Sequence, residues 1–307
     1  LKKQLSMNNV LMIFIDGVGI GKEDFQSNPF FKFGFNTFVK HFGKIPSLEN
    51  SYLYSEKKFI KPIDANLGIA GLPQSGTGQV SIFCGVNAAE QLGFHFGPFP
   101  HSQLIETIKE KNIFREFIKR KKKVFFANAY PKIFFDYIKQ GKSRLSVTSK
   151  SCLLSGVRLN TSTDVWKARA LTAEITNERW NKRLGYKLKI ISPEGAAKRL
   201  LRLASNYHFT LYEFFLTDHL GHGRNADELE ITHTNLDRFL SEILTKMNYK
   251  KTTLVVCSDH GNYEDLSVKG HTNNPALFIT AGRNSDKIAS EVNDLTQIKS
   301  AILNHCL

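Results

Sequence analysis

The chain has 307 residues, of which 41% are hydrophobic and 23% charged, a composition that fits a folded globular protein with ample sequence for a core and excludes a disordered or fibrous chain. Lysine and arginine number 42 against 28 for aspartate and glutamate, a formal charge of +14 that suits anionic partners. Much of that charge lies in surface-type runs such as Lys119-Arg120-Lys121-Lys122-Lys123, and no aromatic-basic RNA motif or zinc finger accompanies it, so nucleic acid is not the expected partner.

The first predicted element is a buried strand over residues 10–15 (VLMIFI), ending in Asp16. Six apolar residues are too few for a secretory segment or a membrane span, and no other stretch approaches the required length, so no membrane association is expected. Met7 lies just ahead of this strand, and residues 1–6 are expected to form a disordered tail. Further short apolar runs at 123–127, 209–216, 252–258 and 276–280 predict strands buried on both faces, as in a parallel sheet covered by helices. Helical spacing appears over 101–119, 194–205 (with Ser192 and Pro193 as start signals), 227–247 and near 294–304. Alternation of the two patterns predicts an α/β fold with a mostly parallel central sheet flanked by helices.

The polar, basic stretch from about 130 to 192 lacks clean periodicity and reads as a small inserted cap domain. The expected division is a core of residues 8–100 and 205–307, with an inserted cap or substrate region over about 101–204. Cys84, Cys152, Cys257 and Cys306 are scattered and form no CxxC pair, which points away from a disulfide framework and toward a reducing cytoplasm.

The chemistry-bearing residues gather at strand ends. Asp16 ends the first strand and precedes Gly17-Val18-Gly19-Ile20-Gly21, whose spacing does not fit a dinucleotide-binding GxGxxG loop. Asp218 and His222 follow the 209–216 strand at a spacing that shares one face if the turn between them is helical. Asp259 and His260 follow 252–258, and His271 precedes 276–280. The carboxyl edge of an open α/β sheet is where ligand sites are built, and carboxylate with imidazole is a suitable shell for zinc or manganese. Taken singly, each Asp reads as a turn or helix cap, and each His as a hydrogen-bonded structural residue.

A second feature is Gly71-Leu72-Pro73-Gln74-Ser75-Gly76-Thr77-Gly78-Gln79, where small residues lead into a predicted helix. Ser75 at a helix N-terminus would sit among free N–H groups able to hold a phosphate. It also reads as a simple N-cap, with Thr77 as the alternative reactive hydroxyl.

Together these motifs resemble the alkaline phosphatase superfamily, in particular its branch of cofactor-independent phosphoglycerate mutase and phosphopentomutase. The resemblance rests on Asp16-Gly17, Ser75-Gly76-Thr77-Gly78-Gln79, Asp218-x-x-x-His222, Asp259-His260-Gly261-Asn262 and His271-Thr272-x-Asn274-Pro275. It implies two divalent metal ions, manganese or zinc, one held by Asp16, Ser75, Asp259 and His260 and the other by Asp218, His222 and His271. It further implies phosphoryl transfer on small phosphate esters through a Ser75 phosphoenzyme, as a phosphatase or a phosphomutase. Phosphonate or sulfate esters are the alternative substrates, although the C/S-x-P-x-R context of sulfatases is absent around Ser75. Gln79 stands where the mutases usually have His, which removes a possible metal or phosphate neighbour. Within the insert, Arg169, Arg179 and Arg183 are the candidates for gripping a substrate phosphate.

Overall fold

The computed structural model describes residues 8–307, so the tail expected over residues 1–6 lies outside them. The strands are β1 (Asn9–Ile15), β2 (Leu53–Ser55), β3 (Lys58–Ile63), β4 (Val124–Phe126), β5 (Ala129–Tyr130), β6 (Asn160–Thr161), β7 (Phe209–Phe214), β8 (Thr252–Cys257) and β9 (Ala276–Gly282). Seven of them build one sheet in the order β2-β3-β9-β8-β1-β7-β4. The run β8-β1-β7-β4 is parallel, whereas β9 is antiparallel to both β8 and β3, and β2 is antiparallel to β3. The sheet is therefore mostly parallel but mixed at one side.

β1 shows why the apolar runs are strands. Leu11, Ile13 and Ile15 enter one core layer, and Val10, Met12 and Phe14 enter the layer on the opposite face. Alternate residues point to opposite faces, so a strand covered on both sides must be apolar throughout. Helices Pro193–Ala204 and Leu229–Lys246 cover one face, and Ser75–Cys84, Ile105–Lys111 and Gln297–Cys306 lie on the other. The helix expected over 101–119 breaks at Asn112, whose side chain accepts from Arg115 N and caps Ile113–Lys119.

The segment read as an insert over about 101–204 divides. Ile108, Ile113, Phe114 and Phe117 pack into the main core and lead to β4, which pairs with β7. Ala196, Ala197 and Leu200 pack into the other layer. What stands apart is the β5-β6 pair and a small cluster of Ala129, Val165, Ala170, Trp180 and Leu188. The apolar faces of both flanks of this segment are thus buried in the layers that cover the sheet.

β8, β1 and β7 are adjacent and parallel, so the segments following them emerge at one edge. The four cysteines are free thiols. Among the described residues, no helix is long and apolar enough to cross a membrane.

Candidate metal centre

Asp16 leaves β1 with its N–H donating to Phe214 O at 2.9 Å and its carbonyl accepting from Thr217 Oγ1 at 2.6 Å. The chain then turns at Gly17, whose φ of 68° and close approach to the Asp218 side chain disfavour any Cβ. The Gly17 N–H donates to Asp259 Oδ1 at 3.2 Å. The loops after β1, β7 and β8 are thereby locked together.

Two clusters result. Asp16, Asp259 and His260 form the buried one, with His260 Nε2 3.4 Å from Asp16 Oδ1 and 3.6 Å from Asp259 Oδ2. Asp218, His222 and His271 form the other, with Asp218 Oδ1 3.3 Å from His222 Nε2 and 3.6 Å from His271 Nε2. The turn between Asp218 and His222 is helical, within Leu216–Gly221. The His260 and His271 rings stack with centroids 3.7 Å apart, so the clusters are neighbours.

The imidazole hydrogen bonds bear on what these clusters can hold. His222 Nδ1 donates to Lys269 O at 2.8 Å, His271 Nδ1 to Pro73 O at 2.5 Å and His260 Nδ1 to Gly261 O at 3.3 Å. A carbonyl only accepts, so each Nδ1 carries a proton and each Nε2 is turned inward toward the cluster. His222 Nε2 and His271 Nε2 then face each other at 3.2 Å, an arrangement a shared cation stabilises. Asp16 Oδ1 is buried without a hydrogen-bond partner. Burial, and then the charges of Asp259 and Asp218, push the Asp16 carboxyl well above its ordinary range. Burial also pushes Asp218 upward, but His271, His260, Asn262 and His222 outweigh it and hold the group well below its usual value. Carboxylates crowded with imidazoles fit divalent cations.

Ser75 is the first residue of helix Ser75–Cys84, and Gln74 ahead of it makes no side-chain capping bond. Its Oγ lies 3.0 Å from His260 Nε2. Ser75 lines a cavity of about 670 Å³ together with Asp16, Gln79, Asp218, His222 and His271. The Thr77 hydroxyl is occupied elsewhere, donating to Gln74 O at 3.1 Å from a fully buried position. Gly76 lets this helix meet the loop carrying Phe96 and Phe99, since a Cβ would lie 2.3 Å from Phe99 O. Gln79 takes a bridging position, its Nε2 3.3 Å from Oδ2 of both Asp16 and Asp259.

A family model described as Metalloenzyme superfamily matches residues 8–307. The chain belongs to the Metalloenzyme superfamily. Over 104 residues it is 33% identical to a 2,3-bisphosphoglycerate-independent phosphoglycerate mutase of Ehrlichia canis (strain Jake). That match covers 32% of this chain and 21% of the relative, so the chain spans about a fifth of the curated relative's length. The alkaline phosphatase of the Antarctic bacterium TAB5 is similar in structure, with a TM-score of 0.50 and 14% identity over 99% of both chains. The PH0037 protein of Pyrococcus horikoshii has a TM-score of 0.48 and 15% identity, covering 91% of this chain and 87% of that one. At such identities the TAB5 likeness concerns the fold: a mixed α/β sheet flanked by helices.

The seven residues singled out at the strand ends and at the Ser75 helix all come together in this member of the superfamily. The three arginines do not. Arg169 is exposed and lines neither the Ser75 cavity nor the one beside it. Arg179 and Arg183 both pair with Glu228 and line a neighbouring cavity. The arginines lining the Ser75 cavity are Arg144 and Arg224. Charge at positions 169, 179 and 183 gave no direction, and direction is what a grip requires.

Two carboxylates at this site, Glu264 and Glu213, escaped the sequence reading. Glu264 accepts from Gly19 N and Asn262 N, both at 2.8 Å, and from the side chains of Thr272 and Asn274. It folds the β8–β9 connection back on itself, through Asn262, Thr272 and Asn274, and ties it to the loop after β1 through Gly19. Asn262 Nδ2 donates to Asp218 Oδ1 at 2.8 Å. Glu213 is buried on β7 at the cavity wall, accepts from Thr148 Oγ1 at 2.7 Å, and is pushed by burial up to about 7. Its signal was available: a lone carboxylate inside an apolar run.

Proposed function

We propose that this chain is a two-metal enzyme that transfers phosphoryl groups from phosphate esters through Ser75. Asp16, Ser75, Asp259 and His260 would hold one divalent cation, manganese or zinc, and Asp218, His222 and His271 the other. The observation that carries the reading is the Ser75 Oγ, 3.0 Å from His260 Nε2, at a helix N-terminus beside both clusters. When bound, such cations acidify a hydroxyl and neutralise charge on the transferring group.

The chain's own residues supply orientation. At the start of helix Ser75–Cys84 the N–H groups of Ser75 and Gly76 are the donors for phosphate oxygens, since Thr77 N–H donates to Phe96 O. Ser75 Oγ gives up its proton and attacks phosphorus in line. The Oγ–P bond forms as the bond from phosphorus to the ester oxygen breaks, and that oxygen leaves with the electron pair and takes up a proton, giving a phosphoserine and the free alcohol. Arg144 and Arg224 are placed at the cavity to meet the remaining anionic charge. Both are exposed, so the rim is open to solvent and water is the favoured acceptor. Return of the phosphoryl group to a second hydroxyl is the other reading, favoured by the name of the Ehrlichia canis relative.

The test is an assay of purified protein with manganese or zinc on p-nitrophenyl phosphate, 3-phosphoglycerate and ribose 1-phosphate. Released phosphate that vanishes with EDTA is the expected result. Rearranged ester without free phosphate establishes the mutase reading instead. Silence on every ester, in protein holding two metals per chain, overturns both.

A further inference from the structure

A second cavity, of about 700 Å³, adjoins the one over Ser75. The two share a wall that includes Phe99, Tyr130, Phe134, Arg144 and Phe215. Beyond that wall the second cavity is lined by Ile133, Tyr137, Trp180 and Leu184. Tyr130 and Phe134 stack with ring centroids 4.0 Å apart and planes 21° from parallel, and the Tyr130 hydroxyl is anchored 2.6 Å from Ser149 Oγ.

The helix Lys132–Lys139 supplies Ile133, Phe134 and Tyr137, one apolar face against a polar face of Lys132, Asp136 and Lys139. None of its residues is buried, and Ile133 is 68% exposed. An amphipathic helix ordinarily spends its apolar face on the protein core. Here that face fronts a cavity that adjoins the one over the candidate nucleophile. A small polyol phosphate would leave it wetted; an apolar group carried on the ester would cover it.

We infer that this cavity receives the alcohol portion of the substrate, and that this portion carries an aromatic ring. The inference rests on the phosphoryl-transfer reading and narrows its substrate class. Flat rings on several sides favour a flat occupant, which stacks offset or edge-on against them. The volume falls in the range of pockets that enclose small organic ligands. Arg144 lines both cavities, so an ester with its phosphate at Ser75 and its ring in the second cavity passes beside the guanidinium.

The experiment compares 2-(4-nitrophenyl)ethyl phosphate with ethyl phosphate, both esters of primary alkanols, so that leaving-group chemistry differs little and ring binding dominates. With manganese-loaded protein the aromatic ester is expected to have a kcat/KM larger by roughly 100-fold, and Ile133→Asp or Leu184→Asp to cut that ratio by about 10-fold or more. Both positions are exposed enough for the variants to fold. A second readout needs no metal. Trp180 lines the cavity and the other tryptophan, Trp166, is 73% exposed, so in a Trp166→Phe background emission reports the cavity wall. In EDTA, 2-(4-nitrophenyl)ethyl phosphate is expected to quench Trp180 saturably, and Ile133→Asp to weaken that binding. Turnover of both esters at similar kcat/KM, without saturable quenching, would overturn the aromatic cavity and leave phosphoryl transfer standing. Saturable quenching without turnover of either ester would overturn phosphoryl transfer, and with it the substrate assignment, while keeping an aromatic-binding cavity.

Discussion

Ser75 Oγ and His260 Nε2 lie 3.0 Å apart although 185 residues separate them in the chain. The contact joins the start of helix Ser75–Cys84 to the loop after β8, and sets the hydroxyl beside both carboxylate–imidazole clusters. Ser75→Ala removes the nucleophile and leaves Asp16, Asp259 and the three histidines in place. Turnover of phosphate esters is expected to fall by roughly 10⁴-fold or more, with cation binding by calorimetry largely retained. Near-normal turnover in this variant would remove Ser75 from the mechanism.

Gln79 Nε2 contacts Oδ2 of Asp16 and of Asp259, each at 3.3 Å, and so holds two carboxylates that otherwise repel. Partners that orient ligands typically contribute about 10–100-fold to metal affinity. Gln79→Leu is expected to weaken cation binding at the Asp16 cluster by about that factor and to leave the Asp218 cluster unchanged. A competition titration against a chelator separates the two sites; equal weakening of both would show that Gln79 acts on the whole loop layer.

Glu264 accepts four hydrogen bonds, one from the loop after β1 and three from within the β8–β9 connection, and is almost fully buried. Glu264→Ala leaves those donors without an acceptor, at an expected cost of about 3 kcal/mol or more. Urea denaturation measures this directly. Glu264→Gln keeps one acceptor oxygen and is expected to lose less; identical losses would argue that charge, not hydrogen bonding, is what Glu264 supplies.

His233 is a buried residue of helix Leu229–Lys246, donates from Nε2 to Gly34 O at 2.7 Å and accepts at Nδ1 from Tyr263 Oη at 3.1 Å. Burial lowers its pKa below the ordinary 6.5. The folded protein therefore binds fewer protons than the unfolded chain just below pH 6.5, so this contribution is complete above that pH and is lost as pH falls through the lower folded value. Within that window each pH unit costs about 1.4 kcal/mol. Thermal melts of metal-free protein from pH 8 to 5 are expected to show a shallower acid slope in His233→Gln than in the parent. Parallel slopes would assign the acid sensitivity to other groups.

The β3 segment shows where local pattern loses its meaning. Lys61 and Pro62 interrupt its alternation, and nothing in that stretch announces a strand. In the sheet, β2 pairs only with Lys58–Ile60, so Lys61–Ile63 is an edge on that side, where proline is tolerated. Likewise, the apolar run of β9 marks a buried strand but carries no sign of its antiparallel direction. The strand order alone decides that.

For the candidate site the division is similar. Asp16, Asp218, Asp259 and His260 could be placed at strand ends from sequence, because a strand covered on both faces must be apolar and the first charged residue after it marks the edge. Ser75 could be placed at a helix start by the small residues around it. Which arginines line the cavity, where Gln79 points, and that Glu264 joins the β8–β9 connection to the loop after β1 were decided only in three dimensions. Burial is imposed locally, residue by residue, and leaves a readable pattern. Hydrogen bonds between loops far apart in the chain depend on which strands become neighbours, and no local stretch encodes that.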